Sequence, residues 1–240
     1  MSERFAIYYA PGATEPLWVK AAEWLGRDSL TGATLDGPLA GTTRDALFDR
    51  SVSARRYGFH ATLKAPMALA EGKSRAELED ALEAFAAEAE PVAIGRLKLA
   101  LIDGFLALIP ADQAAELTDF AGEVVEAFEP FRKLPSAGER ERRLKGGHLS
   151  ERQIELMDRF GYPYVFEQFR FHMTLTDRLP ETEREAYTRA AAAHFGALAE
   201  AETVLDRLVL FHEPEAGAPF VRLGDFMLNG EAVDERVRAR

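Results

Sequence analysis

Hydrophobic and polar residues alternate along two short segments of the chain, a pattern typical of strands with one buried face and one polar face. In residues 57–64, the positions expected on the polar face are Gly58, His60, Thr62 and Lys64. In residues 169–176, the corresponding positions are Arg170, His172, Thr174 and Thr176. Each segment is therefore predicted to form a strand that presents a histidine and a threonine on the same side.

Other periodicities predict the elements between these two strands. Apolar positions three and four residues apart predict helices over residues 14–25, 75–89, 111–129, 151–160 and 181–195. Further strands are predicted at residues 4–10, 92–101, 104–109, 203–211 and 220–228. Residues 26–50 are predicted to be mostly loop, with one helical turn near 45–49, because glycines interrupt that stretch.

The order of predicted elements occurs twice. An offset of 112 residues aligns His60 with His172 and superimposes strand on strand, helix on helix and strand pair on strand pair. No linker-like tract divides the 240 residues. We therefore expect one α+β domain of two pseudo-symmetric lobes, at about 1–129 and 130–240, each with an antiparallel sheet backed by helices. The two polar strand faces would line a central groove.

The repeat brings the same short motif to both strands, as His60-Ala61-Thr62-Leu63 and His172-Met173-Thr174-Leu175. A spacing of two residues on a strand places an imidazole and a hydroxyl side by side. One imidazole can take a proton from an attacking oxygen while the other gives one to the leaving oxygen. The hydroxyls can hold phosphoryl oxygens. The predicted catalytic residues are His60, Thr62, His172 and Thr174, and which histidine is the base stays open.

These motifs resemble those of the two-histidine (2H) phosphoesterase superfamily, in which each His-x-Thr/Ser motif follows an apolar residue on a strand. Phe59 and Phe171 occupy those positions. Residues 55–60, 161–166 and 169–176 also resemble a bacterial phosphonate-metabolism protein family of unknown function. The superfamily implies metal-independent hydrolysis or transfer at 2′,3′-cyclic or 2′–5′ phosphodiesters. The narrower family implies genes for carbon–phosphorus bond breakdown, where cyclic ribose phosphates arise.

Charge limits where a phosphate can bind. Forty acidic and 29 basic residues give a net charge of −11, so a phosphate ligand needs a local basic site. A basic segment at residues 132–145 is either such a site or a solvated loop. The predicted substrate-binding residues are the motif-flanking Arg56 and Arg170, the segment's Arg140, Arg142, Arg143 and Lys145, and Tyr8 as a ring that can stack on a base or ribose.

Several classes of protein are excluded or disfavoured. The chain has no cysteine, which excludes disulfides, thiolate catalysis and sulfur-ligated metal sites. Neither motif supplies a carboxylate as a third metal ligand, and no Gly-x-Ser-x-Gly elbow is present. We expect a cytoplasmic monomer without membrane contact, metal or cofactor, which hydrolyses a small phosphorylated substrate. RNA 2′–5′ processing or ligation and a non-catalytic nucleotide or phosphate sensor are the alternatives.

Overall fold

The computed structural model describes residues 3–39, 41–136, 138, 140–141 and 149–228. The strands of these segments are β1 (Arg4–Tyr9), β2 (Ala61–Met67), β3 (Val92–Ile102), β4 (Phe105–Pro110), β5 (Met173–Thr174), β6 (Glu202–Leu205), β7 (Arg207–Glu213) and β8 (Val221–Met227). They form a first sheet of order β2-β1-β7-β8 and a second sheet of order β5-β4-β3-β6, with antiparallel neighbours. The predicted α+β class is confirmed.

The described segments contain the five predicted helices, a helix at the turn predicted near 45–49, and a helix at Val52–Tyr57 that was not predicted. The helices are α1 (Pro16–Leu25), α2 (Arg44–Asp49), α3 (Val52–Tyr57), α4 (Arg75–Glu88), α5 (Ala115–Ala127), α6 (Glu151–Phe160) and α7 (Glu181–Phe195). Ser74 and Ser150 start α4 and α6 through complete capping boxes with Glu77 and Gln153. Such caps use only neighbouring residues, so their position can be predicted from the local sequence.

Each sheet combines strands from both halves of the chain. The first sheet joins β1 and β2 to β7 and β8, whereas the second joins β3 and β4 to β5 and β6. The two sheets therefore do not coincide with residues 1–129 and 130–240. One apolar core receives side chains from both sheets, such as Ile7 and Leu210 from the first and Leu106 and Leu108 from the second. Both halves of the chain therefore contribute strands to each sheet and side chains to the shared core.

The strand predicted from residue 57 begins at Ala61, and the residues before it form α3. These residues form a helix because Asp177, which follows the second motif, binds the N-terminus of α3. Its carboxylate accepts hydrogen bonds from the backbone N–H groups of Ser53 (3.0 Å) and Ala54 (3.1 Å), which have no partner within α3. Gly58, with φ of 80°, then ends the helix. A residue 124 positions away in the sequence thus stabilises this helix.

Two other predicted strands are shorter or divided. The second motif pairs with β4 only through Met173 and Thr174, so β5 has two residues. The predicted strand at 203–211 is two strands, since β6 pairs with β3 in the second sheet and β7 pairs with β1 in the first. Asp206 is the point at which the chain passes from one sheet to the other.

Candidate active site

A groove of about 490 Å³ brings the two His-x-Thr motifs together. His60, Thr62, His172 and Thr174 all line it. Thr62 lies on β2, where it pairs with Tyr8 of β1, and Thr174 lies on β5, where it pairs with Ala107 of β4. The groove is therefore bordered by strands of both sheets.

His60 is held by its backbone and by a neighbouring ring. Its Nδ1 lies 2.9 Å from the carbonyl oxygen of Gly58, and its ring stacks on Tyr8 with 3.8 Å between ring centroids. Because a carbonyl only accepts hydrogen bonds, Nδ1 carries the proton and donates it. In the neutral imidazole, Nε2 is then the atom that can accept a proton from a substrate or water.

His172 repeats this arrangement in the second motif. Its Nδ1 donates to the carbonyl oxygen of Arg170 at 2.7 Å, which is again the residue two positions earlier. The ring of Phe105 lies 5.7 Å from the imidazole, measured between centroids. Neither histidine has a hydrogen-bond partner on Nε2 within the described segments. Both motifs thus offer the same ring atom to a bound molecule.

Burial changes the protonation of both imidazoles. Burial, followed by the positive charge of His172, lowers the pKa of His60 to about 4, although the Gly58 carbonyl raises it. Burial also lowers the pKa of His172, against the effect of the Arg170 carbonyl. Both imidazoles are consequently neutral in the empty groove at neutral pH.

Tyrosine rings occupy the His60 side of the groove. Tyr8, which was predicted to bind substrate, lines the groove and is 1% exposed. Tyr57 and Tyr162 line the groove as well. Strand alternation would point Tyr57 into the core. Tyr57 lies at the end of α3, where it packs on the buried Phe220 with 4.8 Å between centroids and also lines the groove. Burial raises the pKa of Tyr162 to about 12, so it remains a neutral phenol beside the groove.

The two arginines next to the motifs do not line the groove. Arg56 forms an ion pair with the buried carboxylate of Glu213 and donates to the carbonyl oxygen of Gly217 at 3.1 Å. Strand alternation would place Arg56 on the same side as the histidine, but Arg56 lies in α3, where alternation does not apply. Arg170 is exposed, and it contributes its carbonyl oxygen to His172. The prediction that these guanidinium groups bind substrate is not supported by their positions.

The basic segment is only partly described. Arg140 is exposed and forms a 2.6 Å ion pair with Asp158 of α6, and neither residue lines the groove. An exposed pair of this kind contributes little to stability. Arg142, Arg143 and Lys145 lie outside the described residues.

The structure adds groove residues that the sequence pattern did not single out. Ser53, Phe105, Asp177 and Arg178 are among them. Arg178 is the single lysine or arginine on the groove wall within the described part of the chain. The sequence signal for Arg178 is a basic residue four positions after Thr174. This position lies outside the His-x-Thr motif, so the motif alone does not indicate it. Thr176 also lines the groove, yet its hydroxyl accepts the Leu106 N–H at 3.0 Å.

Two further properties concern metals and membranes. Among the described residues, no cluster of three or more histidine, aspartate or glutamate side chains has a geometry suited to a metal ion. In the same segments, no helix combines the length and apolar character needed to cross a bilayer.

Two curated proteins are similar to most of this chain. The chain is 39% identical over 218 residues to "Ribose 1,5-bisphosphate phosphokinase PhnN" of Laribacter hongkongensis, covering 90% of this chain and 50% of that protein. It is 34% identical over 234 residues to the protein of the same name from Janthinobacterium sp., covering 95% of this chain and 51% of that protein. The chain therefore spans about half the length of these curated relatives.

Solved structures are matched at lower identity. The crystal structure of E. coli LigT complexed with 3'-AMP is 13% identical, with a TM-score of 0.40, and the match covers 96% of this chain and 100% of LigT. A second crystal structure, described as a phosphoesterase, is 14% identical with a TM-score of 0.37, over 95% of this chain and 99% of that one.

One family model covers most of the chain. It is described as "Protein of unknown function (DUF1045)" and matches residues 62–221. The match runs from Thr62 in the first motif through the whole of the second motif and into β8. More than half of the sequence is included, so the chain belongs to the DUF1045 family.

Proposed function

We propose that the chain is a metal-independent phosphodiesterase that hydrolyses a small cyclic phosphate or a 2′,3′-cyclic nucleotide-like diester. The observation that carries the proposal is that two His-x-Thr motifs face one groove, each with Nδ1 bound to a backbone carbonyl and Nε2 left for a ligand. A volume of about 490 Å³ suits a small molecule. This size favours a nucleotide-sized substrate over an RNA strand.

The difference between the two histidines assigns their roles in the proposal. The positive charge of a protonated His172 lowers the pKa of His60, which favours His172 as the acid and His60 as the base. His60 Nε2 takes a proton from water as the water oxygen bonds to phosphorus. The phosphorus–oxygen bond to the leaving group breaks, and His172 Nε2 gives that oxygen its proton. The product is a phosphomonoester, and proton exchange with solvent restores both imidazoles.

The threonines contribute to charge stabilisation in this scheme. Thr62 and Thr174 lie two residues after the histidines and line the same groove. Their hydroxyl groups donate hydrogen bonds to the non-bridging phosphoryl oxygens, whose negative charge grows as water attacks. These donors act while both imidazoles are occupied with proton transfer.

The relatives' name favours a phosphorylated ribose as the substrate class, but a kinase activity of this chain has less support. A P-loop requires Gly-x-x-x-x-Gly-Lys-Ser/Thr. Gly72-Lys73-Ser74 precedes α4, but the first glycine position of the motif is Met67. We propose that phosphoryl transfer from a nucleotide is not the reaction of the groove.

A substrate panel tests the proposal. Purified chain is incubated with ribose cyclic phosphates, 2′,3′-cyclic nucleotides and 2′–5′-linked dinucleotides, and the products are separated by chromatography. We expect conversion of a cyclic phosphate to its monoester. Cleavage of the 2′–5′ linkages alone would move the assignment to RNA processing. Tight binding of cyclic nucleotides without turnover would identify a sensor.

Chelation is expected to leave the activity intact. The motifs hold their histidines by backbone carbonyls, and the proposed chemistry needs two imidazoles and two hydroxyls. The measurement is kcat/KM on the turned-over substrate before and after dialysis against EDTA. Loss of activity, with recovery on adding zinc or manganese, would contradict metal-independent catalysis.

A plot of kcat/KM against pH should be bell-shaped, with its maximum at acidic pH. kcat/KM reports the free protein, in which the base must be neutral and the acid protonated. Activity falls below about pH 4, where His60 becomes protonated. It also falls above the pKa of His172, which burial holds below the ordinary value of about 6.5. Histidines with unshifted pKa values would instead give a maximum near neutrality. A rate that rises steadily from acidic to alkaline pH would point to attack by hydroxide.

A further inference from the structure

We propose that Arg178 forms a subsite for a second phosphate group, so that the substrate is a cyclic phosphodiester that also carries a phosphomonoester. This inference rests on the proposed phosphodiesterase function and adds a substrate class to it.

The groove contains little positive charge apart from Arg178. Both imidazoles are neutral at neutral pH because burial lowers their pKa values. No other lysine or arginine lines the groove in the segments that the structure describes. The chain as a whole has a net charge of −11. A small dianionic or trianionic substrate therefore meets one permanent cation in the groove.

Arg178 is exposed on the groove wall. No hydrogen bond or ion pair joins it to another residue in the described part of the chain. Its neighbour Asp177 does not neutralise it, because the Asp177 carboxylate accepts N–H groups of Ser53 and Ala54 in α3. Arg56, which flanks the first motif but does not line the groove, is used internally in its ion pair with Glu213. An arginine left free on a groove wall is suited to an anionic ligand.

Arg178 is nevertheless held at a defined place. Leu179 N–H donates to the carbonyl oxygen of Gly104 at 2.8 Å, which anchors the backbone next to Arg178 at the turn between β3 and β4. A Cβ on Gly104 would lie 3.2 Å from Cγ of Arg178, so the arginine stem packs against this turn. Gly104 also has φ of 91°, which disfavours any larger residue. The turn therefore leaves space for the arginine stem.

Arg178 follows Thr174 by four residues and lines the same groove as the two histidine–threonine pairs. Between Thr174 and Arg178, the hydroxyl of Thr176 is bound to the Leu106 N–H and Asp177 is bound to α3. The phosphodiester lies between the imidazoles in the proposed mechanism, with Thr62 and Thr174 on its oxygens. Arg178 lines the groove beside the β3–β4 turn, where its stem packs against Gly104. A separate anionic group on the substrate is the ligand that fits this arrangement.

The test compares two substrates that differ by one phosphate. They are 2′,3′-cyclic AMP and the same cyclic nucleotide with a 5′-phosphate. Wild-type protein is expected to have a kcat/KM about 10- to 100-fold higher for the 5′-phosphorylated substrate, the range for one charge-assisted hydrogen-bonding contact. Arg178→Ala should remove this preference, mainly through KM. It should change kcat/KM for plain 2′,3′-cyclic AMP by less than about threefold.

Arg189→Ala is the matched control. It removes the same charge from an exposed pair on α7, in which Arg189 is 70% and Glu185 82% exposed. This control should keep the wild-type preference. Equal losses on both substrates in Arg178→Ala would mean that the arginine binds the diester itself, and no loss on either would mean that it binds neither phosphate. Both results overturn the subsite while leaving the phosphodiesterase function intact.

Binding separates failure of the subsite from failure of the function. Calorimetry compares adenosine 2′,5′-bisphosphate with adenosine 2′-monophosphate, in wild type and in Arg178→Ala. The subsite predicts that the bisphosphate binds about 10-fold or more tightly to the wild type and that Arg178→Ala abolishes this difference. If neither cyclic nucleotide is cleaved, the proposed reaction on these nucleotides fails. Equal binding of the two adenosine phosphates by wild type would overturn the subsite whether or not turnover occurs.

Discussion

Replacement of either groove histidine by alanine is expected to lower kcat/KM for a cyclic phosphodiester by about 10²- to 10⁴-fold, the range for loss of a general acid or base. His60→Ala removes the group proposed to take the proton from water, and His172→Ala removes the group proposed to protonate the leaving oxygen. The measurement is steady-state kinetics on the substrate that the panel identifies.

Folding should survive both changes. Each imidazole makes one hydrogen bond to a carbonyl two residues earlier, and each borders an open groove. Thermal unfolding monitored by circular dichroism checks this expectation. His212→Ala is the matched control, because that imidazole is bound to Glu3 at 2.7 Å and does not line the groove. Near-normal turnover by His60→Ala or His172→Ala would contradict paired acid–base catalysis.

The largest expected effect on stability is that of Asp225→Ala, at about 3–5 kcal/mol of unfolding free energy. The Asp225 side chain is 2% exposed and accepts hydrogen bonds from Arg207 and Arg222, of which Arg222 has a fully buried side chain. Arg222 also donates to the carbonyl oxygen of Pro11 and lies over the ring of Trp18. Removal of the carboxylate leaves buried positive charge without this partner.

Chemical denaturation of wild type and variant measures that loss. Asp225→Asn replaces the carboxylate by an uncharged amide of similar size and shape, so it separates the loss of charge from the loss of volume. Glu185→Ala is the exposed control, because its pair with Arg189 faces solvent and should contribute less than about 1 kcal/mol. A loss below about 1 kcal/mol in Asp225→Ala would mean that the other contacts of the two arginines hold this part of the first sheet.

Features fixed by neighbouring residues were predictable from the sequence. The helices after Ser74 and Ser150 begin at those residues because a capping box needs only four positions. The β3–β4 hairpin turns at Asp103 and Gly104, whose positive φ values of 48° and 91° suit an Asp-Gly turn. The duplicated motif also indicated correctly that its two copies would meet in one groove, since both predicted strands carried a histidine and a threonine on the same face.

Features fixed by distant residues were not predictable. Alternation extended the first motif strand back to residue 57, whereas Asp177 stabilises α3 there from the other half of the chain. That error also placed Arg56 on the histidine side, although the guanidinium group pairs with Glu213. Arg178 reaches the groove because the chain turns after Thr176 and packs on Gly104. Strand alternation contains no information about such a turn.

The most direct test of the two-histidine mechanism is a ³¹P NMR time course of a cyclic phosphodiester, in EDTA and without ATP. Wild-type chain is compared with His60→Ala and His172→Ala at equal concentration. The mechanism predicts that the wild-type chain replaces the cyclic phosphate signal by a monoester signal. Each variant should convert at least about 10²-fold less substrate in the same time. Equal conversion by all three proteins, or conversion by wild type only when Mg²⁺ and ATP are added, would contradict it.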